Sequence, residues 1–344
     1  MFCVCCRVPD RKTGGFFAEA ADTVPDVEAA LARRALYQRR ATFSSAPAMH
    51  PEQGEFIIRQ ACVLTLDPDI GDLPQADIHV RDGTIVNVGR DLRTTAMHQI
   101  DGRGRVALPG FVAGHRHVCT DALRRGGAED RDLALSLSGA DAADIYKILR
   151  LALLEAVSAG TTTLHHCASD IGAEHADTAI LAQIDSGVRG RFSYPIEQPM
   201  SSAAAEALDN IEHTWFAPRS DHLLDLGMTF PHAGEDTGGV KDNSLAAVTL
   251  DVARALNLDH CVGSLSPGKR ADLILLDAGR GAISPDPAAA FALRAKASDI
   301  LLVSIDGRLR KQNGVLTEPN EGLIRREGED AIAWLRATRF GELH

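Results

Sequence analysis

The segment Leu108-Pro109-Gly110-Phe111-Val112-Ala113-Gly114-His115-Arg116-His117 sets two imidazoles one residue apart. On a β-strand, side chains two apart share a face, so His115 and His117 project together while Arg116 points away. Two imidazoles on one face both reach a divalent metal ion at about 2.0–2.1 Å, and such an ion activates water by lowering its pKa. A bare His-x-His is common by chance on surfaces; the Pro-Gly-Phe run before this pair and the strand–helix pattern after it favour the metal reading. His165 and His166 close the strand-like run that begins at Thr161, and alternation turns one of them inward and the other outward. Cys119 follows the first pair closely, where a thiol either lines a pocket or packs as a small apolar residue. His213 and His222 lie in polar contexts and are read as inert. No Gly-x-Ser-x-Gly elbow, phosphate loop or Gly-x-Gly-x-x-Gly supports another catalytic class.

Short apolar runs bracket these residues. Phe56–Ile58, Cys62–Leu66 and Ala76–Val80 read as strands, and Asp82-Gly83 followed by Thr84–Gly89 is a strand–turn–strand signal, because Gly accepts the positive φ of such a turn. Ala271–Leu276 and Ile300–Ile305 repeat the style, the latter closed by Asp306-Gly307. Strand clusters at opposite ends can form one small sheet domain with a larger unit inserted between them. Between them the period lengthens. Residues 140–158 read as an amphipathic helix ended by Ala159-Gly160, Thr161–His166 as a buried strand, 175–186 as a helix and Val188–Tyr194 as the next strand. This is the alternation of a parallel α/β sheet or barrel. It fades over 200–245, where one further strand is expected near Gly227–Phe230, and helices are expected at 246–257 and 329–338.

The chain has 344 residues, 45 % hydrophobic and 24 % charged, the balance of a globular protein rather than a disordered or fibrous one. Its 36 basic and 47 acidic residues leave a net charge of −11, which argues against nucleic-acid binding, where phosphates demand clustered Lys and Arg. No apolar run approaches the roughly 20 residues of a membrane span, so no membrane association is expected. The seven Cys are scattered and odd in number, pointing to a reducing, cytoplasmic setting rather than a disulfide framework. Cys3, Cys5 and Cys6 lack partner ligands at zinc-ribbon spacing. Residues 1–48 differ from the rest, with paired arginines, an Ala-rich stretch and five acidic residues; they read as an extension, and Met49 as the start of a domain.

The His-x-His segment resembles the first barrel strand of the metal-dependent amidohydrolase superfamily, and the intervening Arg116 is similar to its cytosine deaminase and triazine chlorohydrolase branch. Gly83-Thr84-Ile85, Ala159-Gly160-Thr161-Thr162-Thr163 and Gly263-Ser264-Leu265-Ser266-Pro267-Gly268-Lys269-Arg270-Ala271-Asp272-Leu273 match further family motifs in family order. The match covers roughly residues 55–195 and 245–318. The resemblance implies an α/β fold: a TIM-like (β/α) barrel carrying a small β-sandwich domain built from both ends of the chain. On that basis residues 49–107 and 262–320 form the composite β-sandwich, 108–261 the barrel, and 321–344 a C-terminal helix and tail. The activity implied is hydrolysis of non-peptide carbon–nitrogen bonds in a small molecule, a nitrogen heterocycle or amide-like compound, by water activated at one divalent ion. Zinc comes first, with iron or manganese as alternatives.

Relatives in the one-metal branch add a His at the fifth strand and an Asp at the eighth, whereas two-metal relatives add a bridging Lys. The six Lys of this chain do not end a convincing barrel strand, so the one-metal branch is the better analogue. Relatives place many more residues between the third strand and the Gly-Ser-Leu motif, so the resemblance implies an internally shortened, incomplete barrel. The remaining chain is shorter than a barrel of about 250 residues plus a two-ended domain requires. Two readings of the shortened stretch compete. In one, Leu223–Phe230 is the helix–Gly–strand approach to the eighth strand and Asp236 the metal-linked Asp. In the other, Pro231-His232-Ala233-Gly234-Glu235 resembles a fifth-strand end, making His232 a ligand and Glu235 the proton shuttle. A solvated loop is the bland alternative for this stretch. A catalytically inactive remnant, or a small-molecule binding protein lacking the later ligands, is the alternative for the whole chain. Open strand edges then invite a homo-oligomer.

Overall fold

The computed structural model describes residues 54–96, 98–124, 137, 140–196, 200–216, 223–229, 244–279 and 285–340. The N-terminal extension with Cys3, Cys5 and Cys6, and the candidates His222, His232, Glu235 and Asp236, lie outside the described residues.

Strands β1 (Phe56–Val63), β2 (Leu73–Arg81) and β3 (Thr84–Gly89) follow one another as antiparallel neighbours. The β2–β3 turn is made by Asp82 and Gly83, both at positive φ (+49° and +74°), the conformation that matches strand twist in a tight hairpin. β4 (His98–Asp101) and β5 (Arg105–Pro109) run parallel to β1. After a single residue, Gly110, the chain enters β6 (Phe111–Arg116), which belongs to a different sheet.

There the βα alternation begins. Helix α1 (Val118–Arg124) and helix α2 (Ala142–Ser158) lead to β7 (Thr161–Cys167), and α3 (Ala176–Ser186) leads to β8 (Arg189–Pro195). Helix α4 (Ser202–Ile211) then leads to β9 (Leu224–Thr229). The four strands β6-β7-β8-β9 form a parallel sheet in chain order, as short βα units require. Asp141 caps α2 by accepting from the Ala143 N–H, and the helix buries Ile145, Ile148, Leu149, Ala152, Leu153 and Val157 along one face. The expected approach helix around Leu223–Leu226 is instead strand. Leu224, Leu226 and Met228 alternate toward the core, a period of two that suits a half-buried strand. Among the described residues β6 and β9 pair on one side only, and no closed barrel is formed.

Helix α5 (Leu250–Ala255) packs against β6, and the chain returns to the first sheet as β10 (Leu273–Asp277). After α6 (Pro285–Ala292) come β11 (Ile300–Ile305), β12 (Arg308–Gln312) and β13 (Val315–Leu316), and the described chain closes with α7 (Glu321–Phe340). Helix α7 is longer than the 329–338 expected and lies on α2. The mixed sheet runs β13-β12-β11-β10-β5-β1-β2-β3, with β4 beside β1. Its middle strands are buried on both faces, hence their continuous apolar sequences. In β10, Leu273 and Leu275 join a core with β1, β2 and β3, while Ile274 and Leu276 join the larger core with α2 and the parallel sheet.

A buried ion cluster ties the two sheets together at the start of β8. Arg189 donates from Nε to Asp272 Oδ2 (2.7 Å) and from Nη2 to Asp306 Oδ1 (2.7 Å). Asp306 also pairs with Arg270, and its backbone N–H donates to Asp272 Oδ1 (2.8 Å). Burial opposes the charge on Asp306, but Arg189 and Arg270 overcome it and hold the carboxyl below its ordinary range. Removing one member leaves the buried partners with too little compensating charge. Arg189→Met and Asp272→Ala are therefore each expected to lower unfolding free energy by about 3–5 kcal/mol in urea titrations of the full chain at neutral pH. Gly190→Ala is expected to destabilise as well, by at least about 1–3 kcal/mol, because its Cβ would stand 1.8 Å from the Leu164 carbonyl oxygen, in backbone that cannot yield.

Candidate metal centre

Three strand ends assemble the candidate site. The register pairs Arg116 of β6 with His166 of β7, and Cys167 of β7 with Ser193 of β8. His115, His165, Cys167 and Ser193 consequently converge at the carboxyl end of the parallel sheet, the end where open α/β folds bind ligands. Gly227 of β9 completes the row without a side chain; a Cβ there would sit 2.7 Å from Ser193 Oγ and 2.8 Å from Arg191 Cδ.

His115 and His117 do meet, their Nε2 atoms 3.2 Å apart. Two nitrogens bound to one tetrahedral ion at 2.0–2.1 Å stand about 3.3–3.4 Å apart, so the pair fits a shared ion. His117 Nδ1 lies 3.0 Å from the Cys167 carbonyl oxygen. A carbonyl only accepts, so Nδ1 carries the proton and Nε2 presents its lone pair. Such a carbonyl contact fixes tautomer and ring orientation in metal-binding histidines. Asp170 stands beside it, 3.9 Å from His117 Nδ1, and accepts from the Thr120 N–H (3.0 Å) at the start of α1. Burial raises the Asp170 carboxyl, opposed by the Thr120 N–H and by His117. Arg116 turns to Asp121 (2.9 Å), as strand alternation requires.

Of the consecutive pair in β7, His165 faces the site and His166 the core. His165 Nδ1 donates to the Gly114 carbonyl (2.8 Å), and its Nε2 accepts from the Ser193 hydroxyl (2.7 Å). Cys167 Sγ lies 3.2 Å from His115 Nδ1 and 3.6 Å from His165 Nε2. Donor atoms of His115, His165 and Cys167 all fall within 4.8 Å of one another. Sequence reasoning left Cys167, Ser193 and Asp170 unnamed. The signal for Cys167 was its position two residues beyond His165 on the same strand. Cys119 proves to be a core residue of α1, fully buried, its thiol pushed well up by burial. His213 is an exposed residue beside Asp209.

The amidohydrolase family model matches residues 222–310. A 5'-deoxyadenosine deaminase of Methanosarcina acetivorans is 33 % identical over 161 residues, 44 % of this chain and 36 % of the relative. A 5-methylthioadenosine/S-adenosylhomocysteine deaminase of Symbiobacterium thermophilum is 41 % identical over 69 residues, 20 % of this chain and 16 % of the relative. The chain thus spans well under two thirds of the length of these curated relatives. Among solved structures, a zinc-bound adenosine deaminase from Xanthomonas campestris superposes with a TM-score of 0.65 at 15 % identity, covering 83 % of this chain and 99 % of that one. The zinc complex of atrazine chlorohydrolase TrzN from Arthrobacter aurescens superposes with 0.64 at 16 % identity, covering 80 % and 100 %. At such identities the structures speak for the fold alone, a mixed α/β fold like that of the barrel hydrolases. The family match and the deaminase relatives show that parts of the chain are similar to the amidohydrolase superfamily, in line with the order of the motifs. No helix among the described residues is long and apolar enough to cross a membrane.

The buried imidazoles have a consequence for stability. Burial pushes His165 down to about 4 and His166, packed edge-on to Phe192, down to about 3. The unfolded chain titrates near pH 6.5, so below that pH it binds protons that the folded chain refuses, and stability falls as pH drops toward 4. Each ring accounts for about 2 kcal/mol by pH 5. The urea midpoint of the metal-free chain is expected to fall between pH 7 and pH 5, and to fall less in His166→Leu; equal slopes in the two proteins would contradict the assignment.

Proposed function

We propose that this chain is a metal-dependent hydrolase of the deaminase type, releasing ammonia from an amine-bearing nitrogen heterocycle, with purine nucleosides related to 5'-deoxyadenosine as first candidates. The observation that carries the reading is the His115–His117 pair, with Nε2 atoms 3.2 Å apart and His117 locked in one tautomer by the Cys167 carbonyl. The names of the curated relatives support the substrate class, and the zinc in the related structures supports zinc as the ion. When bound, a divalent ion there supplies Lewis acidity that lowers the pKa of water.

The protein's own residues supply the rest. His117 holds its lone pair toward the ion position through its carbonyl contact, and Asp170 anchors the first turn of α1 beside it. Residues 108–261 would act as a shortened barrel, residues 49–107 with 262–320 as the composite β-sandwich that supports it, and 321–344 as a C-terminal helix and tail. Two assignments serve the remaining roles: His232 as a further ligand with Glu235 moving the proton, or Asp236 as the acid–base group linked to the ion.

The test combines metal analysis of the purified full chain with ammonia release from 5'-deoxyadenosine, adenosine, cytosine and an aminotriazine. One ion per chain is expected, lost in His115→Ala, and turnover is expected to fall by about 100-fold or more in both His115→Ala and His117→Ala. Loss of turnover in Glu235→Gln but not Asp236→Asn selects the first assignment; the reverse selects the second. Metal binding without turnover on any substrate would point to a binding protein or inactive remnant, and a chain that takes up no metal would overturn the reading.

A further inference from the structure

His115 has a second nitrogen, and that nitrogen faces a different set of donors. We propose that His115 Nδ1, His165 Nε2 and Cys167 Sγ form a separate site for a thiophilic ion such as zinc(II), cadmium(II) or copper(I), exclusive of the His115–His117 site. The inference shares His115 with the hydrolase reading and otherwise stands apart from it, since it requires neither catalysis nor a substrate.

The distances carry it. A nitrogen at about 2.0–2.1 Å and a thiolate at about 2.3 Å from a tetrahedral ion stand roughly 3.5–3.6 Å apart. The Cys167 Sγ atom lies 3.2 Å from His115 Nδ1 and 3.6 Å from His165 Nε2, close to the separations an ion needs, and all three donors lie within 4.8 Å of one another, so the two rings need only draw together around it. The second requirement is a lone pair in the right place. His165 gives its Nδ1 proton to the Gly114 carbonyl, which leaves Nε2 as the acceptor aimed at the cluster. In the metal-free chain the Ser193 hydroxyl donates to that lone pair, 2.7 Å away, and an ion would take the hydroxyl's place. Cys167 and His165 are buried whereas His115 is exposed, so the site has rigid walls and one open side for entry.

The donor set selects the ion. Two imidazoles and a thiolate suit zinc, copper or cadmium and not magnesium or calcium, which want oxygen ligands. Asp170, the nearby buried carboxylate, is not among the three clustered donors: its Oδ2 accepts from the Thr120 N–H and its Oδ1 lies on the far nitrogen of His117 at 3.9 Å. Exclusivity follows from the ring itself. A neutral imidazole offers one lone pair, so His115 binds through Nε2 toward His117 or through Nδ1 toward Cys167, not both. The choice between two ion positions thus becomes a choice between two tautomers of one side chain.

Cadmium(II) titration of the metal-free full chain tests this through the near-ultraviolet sulfur-to-metal charge-transfer band, with Cys167→Ala as the control because the chain has seven Cys. A band saturating at one equivalent, lost in Cys167→Ala and retained in His117→Ala, is expected. His165→Gln should weaken the affinity by about 10-fold or more, and serves as the deciding variant if Cys167→Ala fails to fold by circular dichroism. A band that persists in Cys167→Ala, no band with cadmium bound, or unchanged affinity in His165→Gln would overturn the proposal. A Cys167-dependent band in a chain that releases no ammonia leaves this site standing while the hydrolase reading falls; ammonia release with no band has the opposite meaning.

Discussion

The Arg189–Asp272–Asp306 cluster is the contact on which the rest of the structure depends. Arg189 opens β8, Asp272 precedes β10, and Asp306 lies in the turn between β11 and β12, so three segments far apart in sequence share one set of charges. Side-chain exposure there is 11 % for Arg189, 1 % for Asp272 and 7 % for Asp306. Charges that dry are tolerated only when paired and further hydrogen-bonded, and each partner here is engaged more than once. The geometry that satisfies the charges also sets the height of β8 against the mixed sheet, and with it where Ser193 and, through the β7–β8 ladder, His165 and Cys167 arrive.

The site is assembled at strand ends, with backbone carbonyls doing much of the orienting. Gly114 O fixes His165, and Cys167 O fixes His117. Both carbonyls come from strands of the parallel sheet, so ring orientation follows from strand register rather than from a separate loop. Small residues make room: Gly227 lets Arg191 and Ser193 cross above β9, where Arg191 reaches Asp225 (2.7 Å).

Much of this could be read in the sequence. The helix over Ala142–Ser158 and the strands Thr161–Cys167 and Arg189–Pro195 follow from periodicity and from the Ala159-Gly160 stop, local signals that tertiary packing reinforces. The His115–His117 juxtaposition follows from alternation along one strand. The role of Cys167 was hidden because its partners are His115, 52 residues earlier, which meets its thiol, and His117, 50 residues earlier, which donates to its carbonyl; only inter-strand register brings them together. The Leu224–Leu226 stretch read as a helix approach because leucines suit either element, and the β8 ladder decided for strand. The ion cluster was half visible, as an Asp in a family motif and an Asp-Gly turn, while its Arg looked like an ordinary strand residue.

One residue, Gly110, separates the two sheets along the chain. Its N–H bonds to the Asp272 carbonyl on one side, while the next N–H, of Phe111, bonds to Gly160 on the other. A Cβ at this position would lie 2.1 Å from Thr162 Oγ1, so the crossing has no slack. With no linker to absorb motion, the mixed sheet and the strand carrying His115 share a single rigid backbone. Any force exerted on that imidazole by an ion is borne directly by β5 and β10, and the supporting sheet becomes part of the ligand's own compliance.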